Sequence, residues 1–433
     1  MLRDALTISL IALCAIVALF HPWIGVMSWT VISIMNPHRY AWIASELPVA
    51  AAIAIATLAG IIVTRDRIRF VATPPVIALI AFMLWMCITL PFSILIDPSR
   101  DLWGRVMKID AMILVAVAVL VSRKHVMALA WVLVVSIGFY GLKGGIFTIA
   151  NGGDHLVWGP PGSFIEGNNE LALALVMTIP LMRFVQMQTP SRWVKHGMTA
   201  LMLLSAASAL GTRSRGALVA IIAMSAVLWI RDRRKLASGV LIALAAVVLV
   251  AFFPEQWGER MSSIGDYEQD PSAMGRINAW WMAFNLAKDR FFGGGFAVST
   301  GSVFAVYAPI PDDVHAAHSI YFEVLGEHGF VGLGLFLLLW LLVWRSASWL
   351  RANGPKQAAS AWTADLGAMC HASIAAYAVG GAFLSLAYFD LPYNILVLLV
   401  VARRWVEEKG WETESITAPR LGDATALSRE AKT

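Results

Sequence analysis

Charge is scarce in this sequence. Asp, Glu, Lys and Arg make up 14% of its 433 residues, against 59% hydrophobic residues and a mean hydropathy of +0.70. A soluble domain carries about a quarter charged residues, so that class is excluded. Cysteine is nearly absent. The 3 cysteines, Cys14, Cys87 and Cys370, fall inside apolar runs, with no spacing for a disulfide framework or a zinc site, and read as packing residues. The net charge of +5 is scattered among loops rather than massed on one face, which argues against a nucleic-acid partner. Tandem repeats are missing, and so is low-complexity sequence before a polar tail that follows Glu407. No small-x-small cleavage site follows Met1-Leu2-Arg3-Asp4, so the first apolar run reads as a retained helix.

What is present is a series of apolar runs of bilayer-spanning length, the pattern of an all-α integral membrane protein. Short basic loops punctuate it at Arg65/Arg67/Arg69, Arg123/Lys124, Arg192/Lys195, Arg231/Arg233/Arg234/Lys235, Arg345/Arg351/Lys356 and Arg403/Arg404/Lys409. The excess of Lys and Arg in cytoplasmic loops puts them all on one side. Spans then alternate near 46–64, 71–96, 108–121, 126–150, 169–186, 197–211, 215–230, 236–253, 319–344, 363–388 and 391–402. Residues 5–36 contain two short apolar runs around His21-Pro22, either a hairpin or one broken crossing. A cytoplasmic Met1-Leu2-Arg3 favours the broken crossing, giving about twelve transmembrane helices with both termini cytoplasmic.

The threading divides the chain into an N-terminal helix bundle at 1–253, a large periplasmic loop at 254–318, C-terminal helices at 319–402 and a cytoplasmic tail at 403–433. The tail from Trp411 to Thr433 is polar enough to be disordered. The stretch from Arg276 to Arg290 is amphipathic, with Trp280, Ala283, Phe284 and Ala287 at helical spacing, so it suits the membrane surface. A single long loop in an otherwise short-looped protein is where function is expected.

Several basic residues fall on the outer side, against the usual bias: Arg39, Arg100, Arg105, Lys108, Lys143, Arg213, Arg215, Arg260, Arg276, Lys288 and Arg290. Arg213 and Arg215 stand in Gly211-Thr212-Arg213-Ser214-Arg215-Gly216. Two guanidinium groups beside glycine backbone suit an anion with several oxygens, such as a diphosphate. The bland alternative is a pair of arginines reaching lipid headgroups. Arg276, after Gly275, is open to the same two readings. Lys143 lies in Gly141-Leu142-Lys143-Gly144-Gly145, where a helix break and anion contact are expected. It lacks the phosphate-loop pattern.

The end of the long loop reads Asp312-Asp313-Val314-His315-Ala316-Ala317-His318-Ser319, followed by Glu323, Gly329 and Gly332. A histidine where the chain re-enters the membrane suits a base near neutral pH, and Glu323, about one helical turn on, suits an orienting role. A divalent metal held by Asp312, Asp313, His315 and His318 is the competing reading. No second acidic cluster stands in the outer loops, so no metal or other cofactor is expected.

His318-Ser319, nine residues and Gly329-x-x-Gly332 match the His-Asn/Ser-x9-Gly-x-x-Gly pattern of O-antigen ligases. Ser214-Arg215-Gly216 resembles the Ser-Arg-Gly segment of the wider O-antigen ligase and polymerase superfamily. Gly275-Arg276…Trp280 and Gly293-Gly294-Gly295-Phe296 resemble the surroundings of that family's periplasmic loop, and Asn36-Pro37-His38-Arg39 resembles a subgroup described as O-glycosylation ligases.

The resemblance implies a GT-C-type glycosyltransferase of the bacterial inner membrane, active on its periplasmic side. The implied donor is a glycan on undecaprenyl diphosphate and the implied acceptor is the lipid A-core oligosaccharide. In these terms His318 is the expected general base. Arg213, Arg215 and Arg276, with Lys143 and His315, are the expected diphosphate contacts. Ser319, Glu323, Gly329 and Gly332 are the expected supports. An O-antigen polymerase or a protein O-oligosaccharyltransferase is the alternative. A lipid-linked sugar transporter is a weaker one, because matching halves are not evident.

Overall fold

The computed structural model of the chain describes residues 2–66, 68–231, 239 and 271–417. Apart from residue 239, the expected span 236–253 and the first part of the outer loop, 254–270, lie outside them. Among the described residues the regular structure is helical. Fifteen α-helices are labelled here: α1 (Leu2–Phe20), α2 (Pro22–Met35), α3 (Val49–Val63), α4 (Pro74–Thr89), α5 (Ile96–Val119), α6 (Arg123–Ala150), α7 (Asn168–Gln188), α8 (Arg192–Gly211), α9 (Arg215–Arg231), α10 (Pro271–Asp289), α11 (Gly301–Tyr307), α12 (Ile320–Asn353), α13 (Trp362–Gly380), α14 (Asp390–Glu407) and α15 (Gly410–Thr417). Among them, 6 segments are long and apolar enough to cross a membrane: Arg3–Phe20, Pro74–Phe92, Arg123–Ala150, Asn168–Gln188, Ile320–Lys356 and Ala358–Phe383. Pro22–Met35, Val49–Val63 and Arg215–Ile230 are shorter apolar helices. One hydrophobic core runs from Val26 to Trp405 and joins both halves of the chain.

The helices run between two ends of the bundle. One end gathers the basic loops. There Arg404 donates from Nη1 to the carbonyls of Arg69 at 2.7 Å and Val117 at 3.1 Å, and from Nη2 to that of Leu120. The polar tail is ordered at its start: α15 places Glu414 to accept from the Arg123 amide at 2.9 Å and from Trp405 Nε1 at 2.8 Å. The opposite end holds the start of α7, the end of α8 and the start of α9, and the loops around α10.

Residues 5–36 form a hairpin, not one broken crossing. His21 separates the two helices, and its Nδ1 lies 3.3 Å from Asp66 Oδ2 at the basic end. Thr64 Oγ1 donates to the Phe20 carbonyl there at 3.0 Å. At the other end Asp4 accepts from the amides of Trp42 at 2.8 Å and Ile43 at 2.7 Å, before α3 begins. Gly25 allows α2 to close on Ala18 of α1 and Thr57 of α3. The first and last described residues therefore lie at opposite ends of the bundle.

Two other expectations change. The helix expected at 108–121 begins at Ile96: Arg100, Asp101, Arg105 and Lys108 are exposed, while Ser99 and Val106 are buried. The break expected at Lys143 is not there. α6 is continuous, and Gly141, Gly144 and Gly145 pack on α8, where a side chain would overlap Ser205, Ser208 and the Leu204 carbonyl oxygen. Small residues let two helices approach in this way. Gly211 closes the same seam against Thr148 and fixes the turn that follows.

The hairpin predicts that an epitope tag fused before Met1 and one fused after Thr433 are exposed on opposite membrane faces. Antibody access in intact and permeabilised spheroplasts reads this. Access to both tags from the same face would contradict the arrangement.

Candidate functional site

At the end opposite the basic loops, a cavity of about 380 Å³ is lined by Arg213, Arg215 and Arg276, with Asn168, Asn169 and Ser272 between them. Two helices start at this cavity, α7 at Asn168 and α9 at Arg215, and the first described turn of α10 borders it. The first amides of a helix have no partner within it, and the helix dipole puts partial positive charge there. Two such termini and three guanidinium groups border one space, an arrangement whose chemistry suits an anion.

The turn between α8 and α9 aims the arginines. Asn168 Nδ2 donates to the Thr212 carbonyl at 2.8 Å, joining the start of α7 to the turn. Arg213 has φ 56°, a conformation that costs a non-glycine residue on the order of 1–3 kcal/mol. Its Nη2 donates to the Gly153 carbonyl at 2.7 Å, tying the turn to the loop after α6. Ser214 Oγ caps α9 by accepting from the Ala217 amide at 3.2 Å. Arg215 is then the first residue of α9. Glu170, in the first turn of α7, lies within electrostatic reach of Arg276.

α10 is amphipathic as expected, but it packs inward through Ala279, Met282 and Leu286 against Val298, Val303 and Phe304. It also holds the histidine segment. Asn278 Nδ2 donates to the carbonyls of Ile310 at 2.8 Å and Asp313 at 2.9 Å, and Trp280 Nε1 donates to that of Ala317 at 2.7 Å. Trp280 stacks on Phe322 with ring centroids 5.1 Å apart. His318 follows with φ 41°, a second strained residue. Its Nδ1 is buried without a hydrogen-bond partner. Burial, then the charges of Arg276 and His315, hold its pKa below the usual histidine value.

The other sequence-predicted residues are placed as follows. Glu323 does not orient His318; its carboxylate accepts from the Ala387 amide at 3.1 Å. Ser319 is buried at the start of α12, and its side chain makes no capping bond. The His315 ring lies against Gly275, next to Arg276 in sequence, with Nε2 2.8 Å from Asp313 Oδ1. No group of three or more His, Cys, Asp or Glu side chains with metal-holding geometry occurs among the described residues. Lys143 is exposed on α6 and does not line the arginine cavity.

Gly329 and Gly332 belong to a break in α12. Gly329 has φ 67° and ψ −172°, a region open essentially to glycine alone. The loop after α10 docks into the break: the amides of Gly294 and Gly295 donate at 2.9 Å to the carbonyls of Gly326 and Glu327. Glu327 also accepts from the Ala297 amide at 3.0 Å and from the Tyr388 hydroxyl at 2.6 Å. Sequence reasoning missed Asn168, Asn169, Ser272 and Asn278. Polar residues at helix starts read as ordinary caps.

From the arginine cavity an apolar cavity of about 270 Å³ runs past Val219, Ile277 and Phe383 to Trp280. A further groove continues over Trp281, Phe284 and Phe322.

Residues 200–337 match the family model described as O-antigen ligase. Residues 2–189 match a family of unknown function. No curated protein matches the chain. The first match contains Arg213, Arg215, Arg276, His318, Gly329 and Gly332, and it supports the chain as a member of the O-antigen ligase and polymerase superfamily, whose members are glycosyltransferase-like ligases and polymerases.

The break predicts that Gly329→Ala destabilises the protein by roughly 1–3 kcal/mol. A Cβ there would also overlap the Phe291 carbonyl. Gly334→Ala, with open space around it, should leave the thermal midpoint in detergent unchanged. Equal midpoints for the two variants would contradict the role given to Gly329.

Proposed function

We propose that the protein is an O-antigen ligase. It transfers a glycan from undecaprenyl diphosphate to the lipid A-core oligosaccharide, on the periplasmic side of the bacterial inner membrane. One observation carries this reading: the arginine cavity opens directly into an apolar groove, as a ligand with a diphosphate head and a long hydrocarbon tail requires. The diphosphate takes the cavity of Arg213, Arg215 and Arg276 beside the starts of α7 and α9. The polyprenyl tail takes the groove along Ile277, Trp280, Trp281, Phe284 and Phe322.

In this proposal His318 takes the proton of the acceptor hydroxyl. The hydroxyl oxygen bonds to the anomeric carbon from the face opposite the diphosphate. The bond from that carbon to the diphosphate oxygen breaks, and its electron pair stays on the departing oxygen. Charge grows on the diphosphate as it leaves, and fixed guanidinium groups stabilise that growth without rearranging. A single displacement inverts the anomeric centre. The arginines supply the positive charge that a metal supplies elsewhere, so the reaction proceeds without one. The Glu323 carboxylate accepts from the Ala387 amide, and the proton transfer is assigned to His318 alone.

Asn36-Pro37-His38-Arg39 favours one alternative, transfer to protein, through its resemblance to O-glycosylation ligases. Acceptor identity separates the readings. Purified protein mixed with undecaprenyl-diphosphate glycan and lipid A-core, in EDTA, should give product. Arg215→Ala should lower kcat on the order of a hundred- to a thousandfold. Product only with a protein or with a second lipid-linked glycan would move the chain to the alternative transferases, and a need for added metal would overturn the metal-free step.

The base assignment has its own test. His318 must be neutral to accept a proton, and its lowered pKa keeps it neutral to lower pH than an ordinary histidine. Arg276→Gln removes one cause of the lowering, so the acidic limb of kcat/KM should move to higher pH as the rate falls. His318→Ala should abolish transfer at normal expression with donor still bound. An unmoved limb, or an active His318→Ala enzyme, would remove His318 from the role.

A further inference from the structure

A second cavity, of about 360 Å³, opens at the same end of the bundle, between the turns after α2 and the first turn of α3. It lies within the segment that matches the family of unknown function and shares no lining residue with the arginine cavity. His38, Arg39, Glu46 and Lys108 line it. Arg39 comes from the 3-10 turn Pro37–Tyr40 and Lys108 from α5. Both are exposed, and neither side chain has a hydrogen bond or carboxylate partner among the described residues. His38 is only 8% exposed, and its Nδ1 has no hydrogen-bond partner.

Two unpaired cations on the side of the membrane that ordinarily avoids them call for an anion. A guanidinium fork beside an ammonium suits the several oxygens of a phosphate. Glu46 would repel a second phosphate, but a carboxylate accepts from hydroxyl groups. The buried ring of His38 offers one more polar contact. We propose that this cavity binds a phosphate group flanked by hydroxyls, as on a phosphorylated sugar or on a phosphoglycerol lipid headgroup. The site is separate from the arginine cavity and does not depend on what that cavity binds. One loop touches both: Arg39 lies against Gly162, and Leu156 of the same loop lines the arginine cavity.

The full chain tests this in phosphatidylcholine nanodiscs, by calorimetric titration with glucose 6-phosphate. Arg215→Gln is present throughout to disable the arginine cavity. Saturable binding is expected. Arg39→Gln with Lys108→Gln should weaken it at least about tenfold at an unchanged thermal midpoint, while Arg39→Lys with Lys108→Arg should keep it. The same titration in phosphatidylglycerol nanodiscs separates the two sources. Competition by the lipid identifies the headgroup as the occupant, and undiminished binding identifies a phosphorylated sugar. Absence of saturable binding, or binding that the double glutamine variant leaves intact, would overturn the proposal.

Discussion

A helix running the depth of an apolar bundle cannot break inside it unless every freed backbone group finds another partner. α12 meets that constraint at Gly326–Gly329, and the arrangement of the candidate site depends on how it does so. The carbonyls of Gly326 and Glu327 are taken by the amides of Gly294 and Gly295. The His328 carbonyl is taken by Trp85 Nε1 at 2.8 Å. Glycine stands on both sides because the two backbones nearly touch: a side chain at Gly293 would overlap Glu327 and Gly329, and one at Gly329 would overlap Phe291. The docked loop leads directly out of α10. Locking it in the break sets where α10 lies, and α10 carries Arg276 at one end of its cavity-facing turn and Trp280 beside the histidine segment.

The site is built on fixed charge. Its positive groups come from separate elements: Arg213 from a strained turn, Arg215 from the start of α9 and Arg276 from α10. Each is anchored by packing away from the cavity. The α6–α8 seam holds the turn, the Ser214 cap holds α9, and the hydrophobic packing of Leu286 with Phe304 holds α10. Glu170 lies within electrostatic reach of Arg276. This is the arrangement expected where charge must be stabilised without reorganisation. Arg213 and His318 are two of the five non-glycine residues with positive φ among the described residues.

The alternation of helices between the two ends was legible because basic loops mark one end repeatedly. The hairpin at 5–36 was not. Its two runs are each short for a span, and what decides between one crossing and two is tertiary: Gly25 against Thr57, and Asp4 on the amides of Trp42 and Ile43. Arg213, Arg215 and Arg276 stood out because charge interrupts apolar sequence, and the structure brings them to one cavity. Lys143 misled because its glycine neighbours serve helix packing rather than an anion. His318 precedes α12 and turns left-handed there, so helical spacing from it does not carry to Glu323.

The central claim is that the arginine cavity and its apolar groove hold a polyprenyl diphosphate. A cryo-electron microscopy structure of the full chain in a nanodisc with undecaprenyl diphosphate tests it most directly. The account predicts density for the diphosphate between Arg213, Arg215 and Arg276, continuing as a tail over Trp280 and Phe284. A diphosphate bound elsewhere, with that cavity holding only solvent, would contradict it.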